Sequence, residues 1–442
     1  MSMQQIQGTQ LIKEFDIDKV KQDPSQPVTI DACVHKIRTM SGFAFVILRT
    51  SKYLIQAIYE ADKCSKSIDD LKVGCYVKAT GMPRLDDRAS EGVEIALTDF
   101  EVLSTPADEY PLNVAHKRLG CGLEANLDHR SVALRNPREK AVFKVQEGVV
   151  SGFREFLEGE GFTQVHTPKI VAAGAEGGAN IFKFDYFNQD AYLAQSPQFY
   201  KQTCVAFFDR VFEIAPVYRA EKHNTSRHLN EYIGLDFEMG YIKGMEDVMQ
   251  METAMIKYVI DYLNKNHSRY LSILGATLPK VDDIPAITFM EALDIMKEEG
   301  YKGKNPYDLD PEDEVFLCDY AKKKWGSEFL FITHFPASKR PFYAMDDPQD
   351  ARFALSFDLL FRGLEITTGG QRIHDYNEQI AKMKERGMEP DDLKSYLEVH
   401  KYGLPPHGGL GIGLERFVMK LLDLQNVREA SMFPRDVHRL EP

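Results

Sequence analysis

The stretch RVFEIAPVYRAEKHNTSRHLNEYIGLDFEM, residues 210–239, decides the reading of this chain. A strand ends in Arg219 and Glu221, a polar loop follows, and a second strand begins after Arg227 and His228. Val, Ile, Phe and Tyr fill both arms, and such side chains suit a pleated, partly buried surface. The hairpin therefore projects two arginines and a histidine from one end of a sheet. A guanidinium donates two parallel hydrogen bonds in a fixed fork, which matches phosphate oxygens. Taken alone, the same residues would serve as well in surface ion pairs.

The surroundings of this hairpin are mixed in texture. Strand-like runs recur at FLFITHF (329–335) and ALSFDLLF (354–361). Asn136-Pro137-Arg138-Glu139 offers an N-cap, a proline at the first helical position and a glutamate placed for a capping box. Val142, Val145, Val149, Phe153 and Phe156 then repeat at helical spacing. Further helices are expected at 246–265, at 288–299 behind a Thr288/Glu291 capping box, and at 311–324. Residues 136–442 thus read as one α+β domain, an antiparallel sheet flanked by helices.

The N-terminal part differs. VTIDACVHKI, FAFVILRT, YLIQAIY, CYVKATGM and VEIALTDFEVL, all within 28–103, are five short strands, with a small SIDDL segment between the third and fourth. Five strands with one helical insert suit a small β-barrel of the oligonucleotide-binding (OB) type, assigned here to residues 1–104. Residues 105–135 open on a stretch with Pro106 and Pro111 and no periodicity, and read as a linker or hinge.

Composition excludes several classes. The 442 residues carry 54 Lys plus Arg against 67 Asp plus Glu, a net charge of −13, so any nucleic-acid face must be local. No apolar run approaches the roughly 18–20 residues that span a bilayer. The polar MSMQQIQGTQ start does not resemble a secretion signal, and a cytoplasmic protein is expected. The six cysteines form no C-x-x-C pair, which argues for free thiols rather than zinc. P-loop, G-x-S-x-G and H-E-x-x-H patterns are absent. The glycines of HGGLGIGLER (407–416) lack full dinucleotide spacing, and the plain reading is close backbone packing where a strand runs into a helix.

The 210–239 segment closely resembles motif 2 of the class II aminoacyl-tRNA synthetases, with Tyr218 and Tyr232 where phenylalanine is more usual. EGFTQVHTP (160–168) resembles motif 1 and GIGLERFVMKLL (411–422) motif 3, in the expected order. AEGGANIF (175–182), QSPQFYKQ (195–202), GLEITTGGQRIHDY (363–376), YGLPPHGG (402–409) and FPRD (433–436) narrow the resemblance to the aspartyl-tRNA synthetase family, over nearly the whole chain. That family places an OB domain before its catalytic domain.

The resemblance implies activation of L-aspartate by ATP and transfer of the aspartyl group to tRNA-Asp. Arg219 and Arg416 would stabilise charge growing at phosphorus. Glu221, Arg227, His228, Leu229 and Tyr232 would contact ATP, as would Gly413, Leu414 and Glu415 beside Arg416. Glu365 and Thr368, with Asp358 in support, would hold Mg2+. Lys201 and Arg372 would meet the substrate side chain, while Gln198, Asp236, Thr368 and Glu176 hold its ends. In the barrel, Phe45 and Gln56, with Arg49 and Glu94, would read anticodon bases. Motif 1 implies a homodimer. Strict charging of tRNA-Asp is expected, although His35 and Pro83 also occur in relaxed enzymes that charge tRNA-Asn. A non-catalytic tRNA-binding paralogue is the reading from another class, opposed by the presence of Arg219, Glu365 and Arg416 together.

Overall fold

The computed structural model describes residues 14–174 and 180–441. The chain divides into two units, with the boundary between Asn136 and Pro137. In the first, β1 (Val28–Thr39), β2 (Phe43–Arg49), β3 (Leu54–Glu60), β4 (Tyr76–Leu85) and β5 (Val93–Ser104) close a barrel in the order β1-β2-β3-β5-β4. Buried residues alternate strictly along β2 and β3. The inward set, among them Val46, Leu48, Ile55, Ala57 and Ile95, packs as one apolar core. A short turn at Ile68–Asp70 is the SIDDL insert. Two short helices, Leu123–Asp128 and Arg130–Ala133, occupy part of 105–135, where Val114, Leu119 and Ala133 make a small cluster of their own.

The second unit opens with the helix Pro137–Gly159. Its strands are β6 (Thr163–Gln164), β7 (Ile170–Val171), β8 (Lys183–Asp185), β9 (Asp190–Leu193), β10 (Arg210–Tyr218), β11 (Glu231–Gly240), β12 (Ala286–Thr288), β13 (Phe329–Thr333), β14 (Ser356–Phe361), β15 (Glu365–Gln371) and β16 (His407–Gly413). Eight form the main sheet, β12-β13-β14-β15-β16-β11-β10-β6, and β7-β9-β8 form a small one. The centre is antiparallel, as expected, but both edge pairs, β12/β13 and β6/β10, are parallel. A parallel pair needs a long crossover. The helices Phe289–Glu298 and Pro311–Trp325 supply one, and the helix Gln198–Phe208 lies within the other.

Local chemistry sets these elements. Thr288 Oγ1 accepts from the Glu291 backbone N–H (3.1 Å) while Glu291 accepts from that of Thr288 (2.7 Å), completing the expected capping box. Helix Met245–Asn266 packs with Pro137–Gly159 and against β15 and β16. Between β14 and β15 the chain turns on Arg362 and Gly363, both at positive φ, a two-residue hairpin turn that suits the twist of the strands.

Candidate active site

A cleft of about 890 Å³ lies over β10, β11, β15 and β16. It gathers Gln198, Lys201, Arg219, Glu221, Arg227, His228, Leu229, Tyr232, Asp236, Glu365, Thr368, Arg372, Gly413, Glu415 and Arg416 from five stretches of sequence. Glu176 lies outside the described residues.

One end of the cleft is a buried cluster of four charges. Lys201 reaches in from the helix Gln198–Phe208 and is 2% exposed. Its Nζ stands 2.9 Å from Asp236 Oδ2 and 3.5 Å from Glu238 Oε2, and donates to the Leu410 carbonyl at 2.8 Å. Arg372, just past β15, donates from Nε to Glu238 Oε1 (3.0 Å) and from Nη2 to the Gly409 carbonyl (2.8 Å). Two cations thus balance two carboxylates away from water, which buried charge requires. Burial pushes the Glu238 carboxyl up, but Arg372, Lys201 and His407 together hold it below the usual glutamate range. Burial raises Asp236 against the pull of Lys201.

Glu238 was not singled out from the sequence. The available signal was its i, i+2 spacing from Asp236, which puts both carboxylates on one face of β11. The glycines of β16 make room for them: a Cβ on Gly409 would sit 2.2 Å from Glu238 Oε2, and one on Gly411 3.0 Å from Asp236 Oδ2. Close backbone packing is therefore what those glycines do. Beneath the cluster, Gln198 donates to Gln202 (3.0 Å), and Gln202 Nε2 lies 2.9 Å from His407 Nε2. Burial pushes His407 down to about 4, so the ring is neutral at pH 7. Its Nδ1 faces the Pro405 carbonyl at 2.9 Å and must be the donor, which leaves Nε2 to accept from Gln202.

The other end is built from the 210–239 hairpin. Its loop is closed at the base by Asn230, whose carbonyl accepts from the Arg219 N–H (2.9 Å) and whose amide donates to the carbonyls of Arg219 (2.7 Å) and Glu221 (3.0 Å). His228 Nε2 stands 3.4 Å from Glu221 Oε2 and its Nδ1 2.6 Å from Thr225 Oγ1. Burial, more than the opposing Glu221 charge, lowers the His228 pKa. Arg416, in the first turn of the helix Leu414–Leu421, donates to the carbonyls of Arg227 (3.2 Å) and Glu365 (3.3 Å). Leu414 is buried away from the cleft lining. The Glu415 carboxylate accepts the Ile233 N–H (3.1 Å to Oε2), and burial pushes it up to about 7.

Carboxylates gather here, two of them paired with arginines, Asp358 with Arg340 and Glu314 with Arg227. Thr368 Oγ1 donates to Glu365 Oε1 at 2.8 Å. Asp358 sits behind them, forked by Arg340 at 3.0 and 2.7 Å. Burial pushes Asp358 up to about 6, with Arg340 opposing and Glu365 adding to the rise. Glu314, which the sequence did not flag, is driven to about 7 by burial and by the Glu365 charge. Both acids also feel the Glu365 charge, yet among the described residues no group of three or more His, Cys, Asp or Glu side chains stands ready to hold a metal ion.

On the barrel, Phe45 and Arg49 alternate with the core residues of β2, and Gln56 does so on β3, so all three face outward. Phe45 packs edge-on against Phe43 at 5.2 Å and has no part in the core. Gln56 Nε2 donates to Glu94 at 3.2 Å. His35 lies at an irregularity of β1, and burial, aided by the Arg49 and Lys36 charges, lowers it to about 4. Pro83 lies on β4 opposite Ile95 of β5.

Comparison with known proteins adds to this geometry. Residues 122–437 match the family of class II tRNA synthetases (D, K and N), and residues 28–103 match the OB-fold nucleic acid binding domain. The chain is 44% identical over 425 residues to the aspartate–tRNA(Asp/Asn) ligase of Thermus thermophilus, covering 96% of this chain and 98% of that protein. It is 39% identical to the aspartate–tRNA(Asp) ligase of Pyrococcus furiosus, covering 94% and 96%. Among solved structures, asparaginyl-tRNA synthetase from Pyrococcus horikoshii with asparaginyl-adenylate superposes with a TM-score of 0.90 at 29% identity, covering 98% of this chain and 100% of that one. Aspartyl-tRNA synthetase from Entamoeba histolytica does so at 0.86 and 30%, covering 99% and 96%.

Proposed function

This chain belongs to the class II tRNA synthetases of the D, K and N type, and we propose that it is an aspartate–tRNA ligase. In the first step an α-carboxylate oxygen of aspartate attacks the α-phosphorus of ATP. An acyl–phosphate bond forms, the bond to the β-phosphate oxygen breaks, and pyrophosphate leaves. In the second, a ribose hydroxyl of the tRNA 3′ terminus attacks the acyl carbon and AMP leaves. In-line displacement at phosphorus demands alignment and charge neutralisation more than proton transfer. Arg219 and Arg416 supply the charge, and Tyr232 offers an aromatic face to adenine.

The observation that carries the amino-acid assignment is the convergence of Lys201 and Arg372 on one buried end of the cleft. A substrate β-carboxylate entering there would take charge-assisted hydrogen bonds from two cations that Asp236 and Glu238 hold in place, bonds that the neutral amide of asparagine would make more weakly. The fold is indifferent on this point, since aspartyl and asparaginyl enzymes both superpose on it. The Glu365 carboxylate beside the Thr368 hydroxyl offers the hard oxygen donors that suit a divalent cation. Glu365 and Thr368, with Asp358 behind them, would hold Mg2+, which neutralises phosphate charge when bound. ATP–pyrophosphate exchange with aspartate and asparagine side by side tests the reading. Exchange with asparagine alone would reverse the assignment, and exchange with neither would favour a non-catalytic tRNA-binding role.

Phe45, Gln56, Arg49 and Glu94 on the barrel would meet the anticodon of tRNA-Asp. A second reading, that tRNA-Asn is charged too, is favoured by the Asp/Asn names of relatives at 44%, 43% and 40% identity and by His35 and Pro83. Aspartylation of tRNA-Asn within about tenfold of tRNA-Asp, roughly 1.4 kcal/mol, would establish it. We further propose a homodimer working in the cytoplasm. Strand β6 is an edge of the main sheet and follows the helix Pro137–Gly159, the two elements that motif 1 offers to a two-fold partner. Light scattering that returned a monomer mass at micromolar concentration would refute the dimer. Among the described residues no helix is long and apolar enough to cross a membrane.

A further inference from the structure

We propose that Glu314 is a positioning residue for the phosphate end of the cleft, fixing Arg227 and the start of β15 to one another without touching substrate. Glu314 comes from the first turn of the helix Pro311–Trp325, a segment outside the three sequence motifs. It does not line the cleft. Its Oε2 accepts from Arg227 Nη1 and from the Glu365 backbone N–H, each at 3.1 Å. The second arm of the same guanidinium, Nη2, donates to the Gly363 carbonyl at 3.1 Å. Arg416 closes the circuit by donating to the carbonyls of Arg227 and Glu365.

One carboxylate oxygen thus ties the hairpin loop to the strand bearing Glu365, and Arg227 Nη2 adds the β14–β15 turn through the Gly363 carbonyl. Arg227 is only 22% exposed in its side chain, and Glu314 12%. An arginine held at both arms keeps its remaining donors in a fixed direction, so an arriving phosphate meets a group already aimed. Released, the same side chain would have to be ordered at the moment of binding, and the Glu365 N–H would lose its acceptor. This role rests on the reading of that end as the ATP site.

The test is ATP affinity by calorimetry without aspartate, set beside aspartate KM in pyrophosphate exchange. E314A should weaken ATP binding about 10-fold while aspartate KM moves less than about twofold, and E314Q, which keeps an acceptor oxygen, should recover about threefold. In an R227A background E314A should then weaken ATP by less than about twofold, because the glutamate acts through the arginine. The proposal is overturned if E314A leaves ATP affinity unchanged, weakens it equally in the R227A background, or shifts ATP and aspartate by the same factor. Failure of the unsubstituted chain to bind ATP would instead overturn the functional reading beneath it.

Discussion

Glu238 and Glu252 are both wholly buried in the catalytic unit, yet they carry opposite charge states. Glu238 faces Arg372 and Lys201 and stays ionised below the usual glutamate range despite its burial. Glu252 projects from the helix Met245–Asn266 beneath the sheet, and burial pushes it up to about 8. Thr367 opposes that rise slightly and the Asp358 charge adds to it. Equal burial therefore does not decide ionisation; the partners do. The comparison extends to the two ends of the cleft. The Lys201 end is a closed, neutralised cluster, whereas at the Arg416 end Asp358 and Glu314, each paired with an arginine, also feel the Glu365 charge.

The sharpest way to break this comparison is to remove Glu238. Glu238→Ala leaves Lys201 and Arg372 buried with Asp236 as their sole carboxylate in the cluster, and unfolding in urea should register a loss of about 5 kcal/mol. A loss under about 1 kcal/mol would mean that the cluster is not charge-balanced as described. Lys201→Met acts on the substrate side: aspartate activation should fall by about 3–5 kcal/mol in kcat/KM, with ATP affinity nearly intact. Unchanged aspartate kinetics in that variant would sink the specificity argument.

Glu252 gives the mirror experiment, a gain rather than a loss. Its native pKa, about 8, lies above the ordinary 4.5, so between those values the folded state keeps a proton that the unfolded chain releases. Its contribution to stability is greatest below the unfolded value and declines as pH rises through the window. Glu252→Gln cannot ionise and should stabilise by about 1 kcal/mol at about pH 5 but by about 4 kcal/mol at about pH 8. Thermal melts at the two pH values decide it, and a gain independent of pH would contradict the assigned state. The smallest effect belongs to the barrel, where no charge is wholly buried in this way. Phe45→Ala removes a stacking surface of about 1–3 kcal/mol and should raise the KM for tRNA roughly tenfold, read by aminoacylation. A KM within about twofold of the parent would remove Phe45 from the anticodon face.

Elements with a local signature were legible in advance. The helix behind Thr288, the five barrel strands and the 210–239 hairpin declare themselves by capping chemistry, alternation and turn residues, all settled within a few positions along the chain. The cleft-lining residues of the motif segments could be named from the resemblance, whereas the stretch 339–344, which lines the same cleft, carries no such signature. Glu238 and Glu314 escaped, because a carboxylate's value lies in what it meets. Glu238 meets Arg372 across 134 positions, and Glu314 meets Arg227 across 87.

The order of structure by distance explains the rest. Periodicity and caps are short-range properties, so the sequence by itself determined the barrel strands, the 210–239 hairpin, the helices with clear caps or spacing, and which arginines and lysines could face phosphate or carboxylate. Only the tertiary structure decided that the sheet's edges are parallel, that β16's glycines admit two carboxylates, and that Glu238 is charged while Glu252 is not. Those outcomes depend on burial and on the sign of the nearest charge, and neither exists until distant segments are packed together.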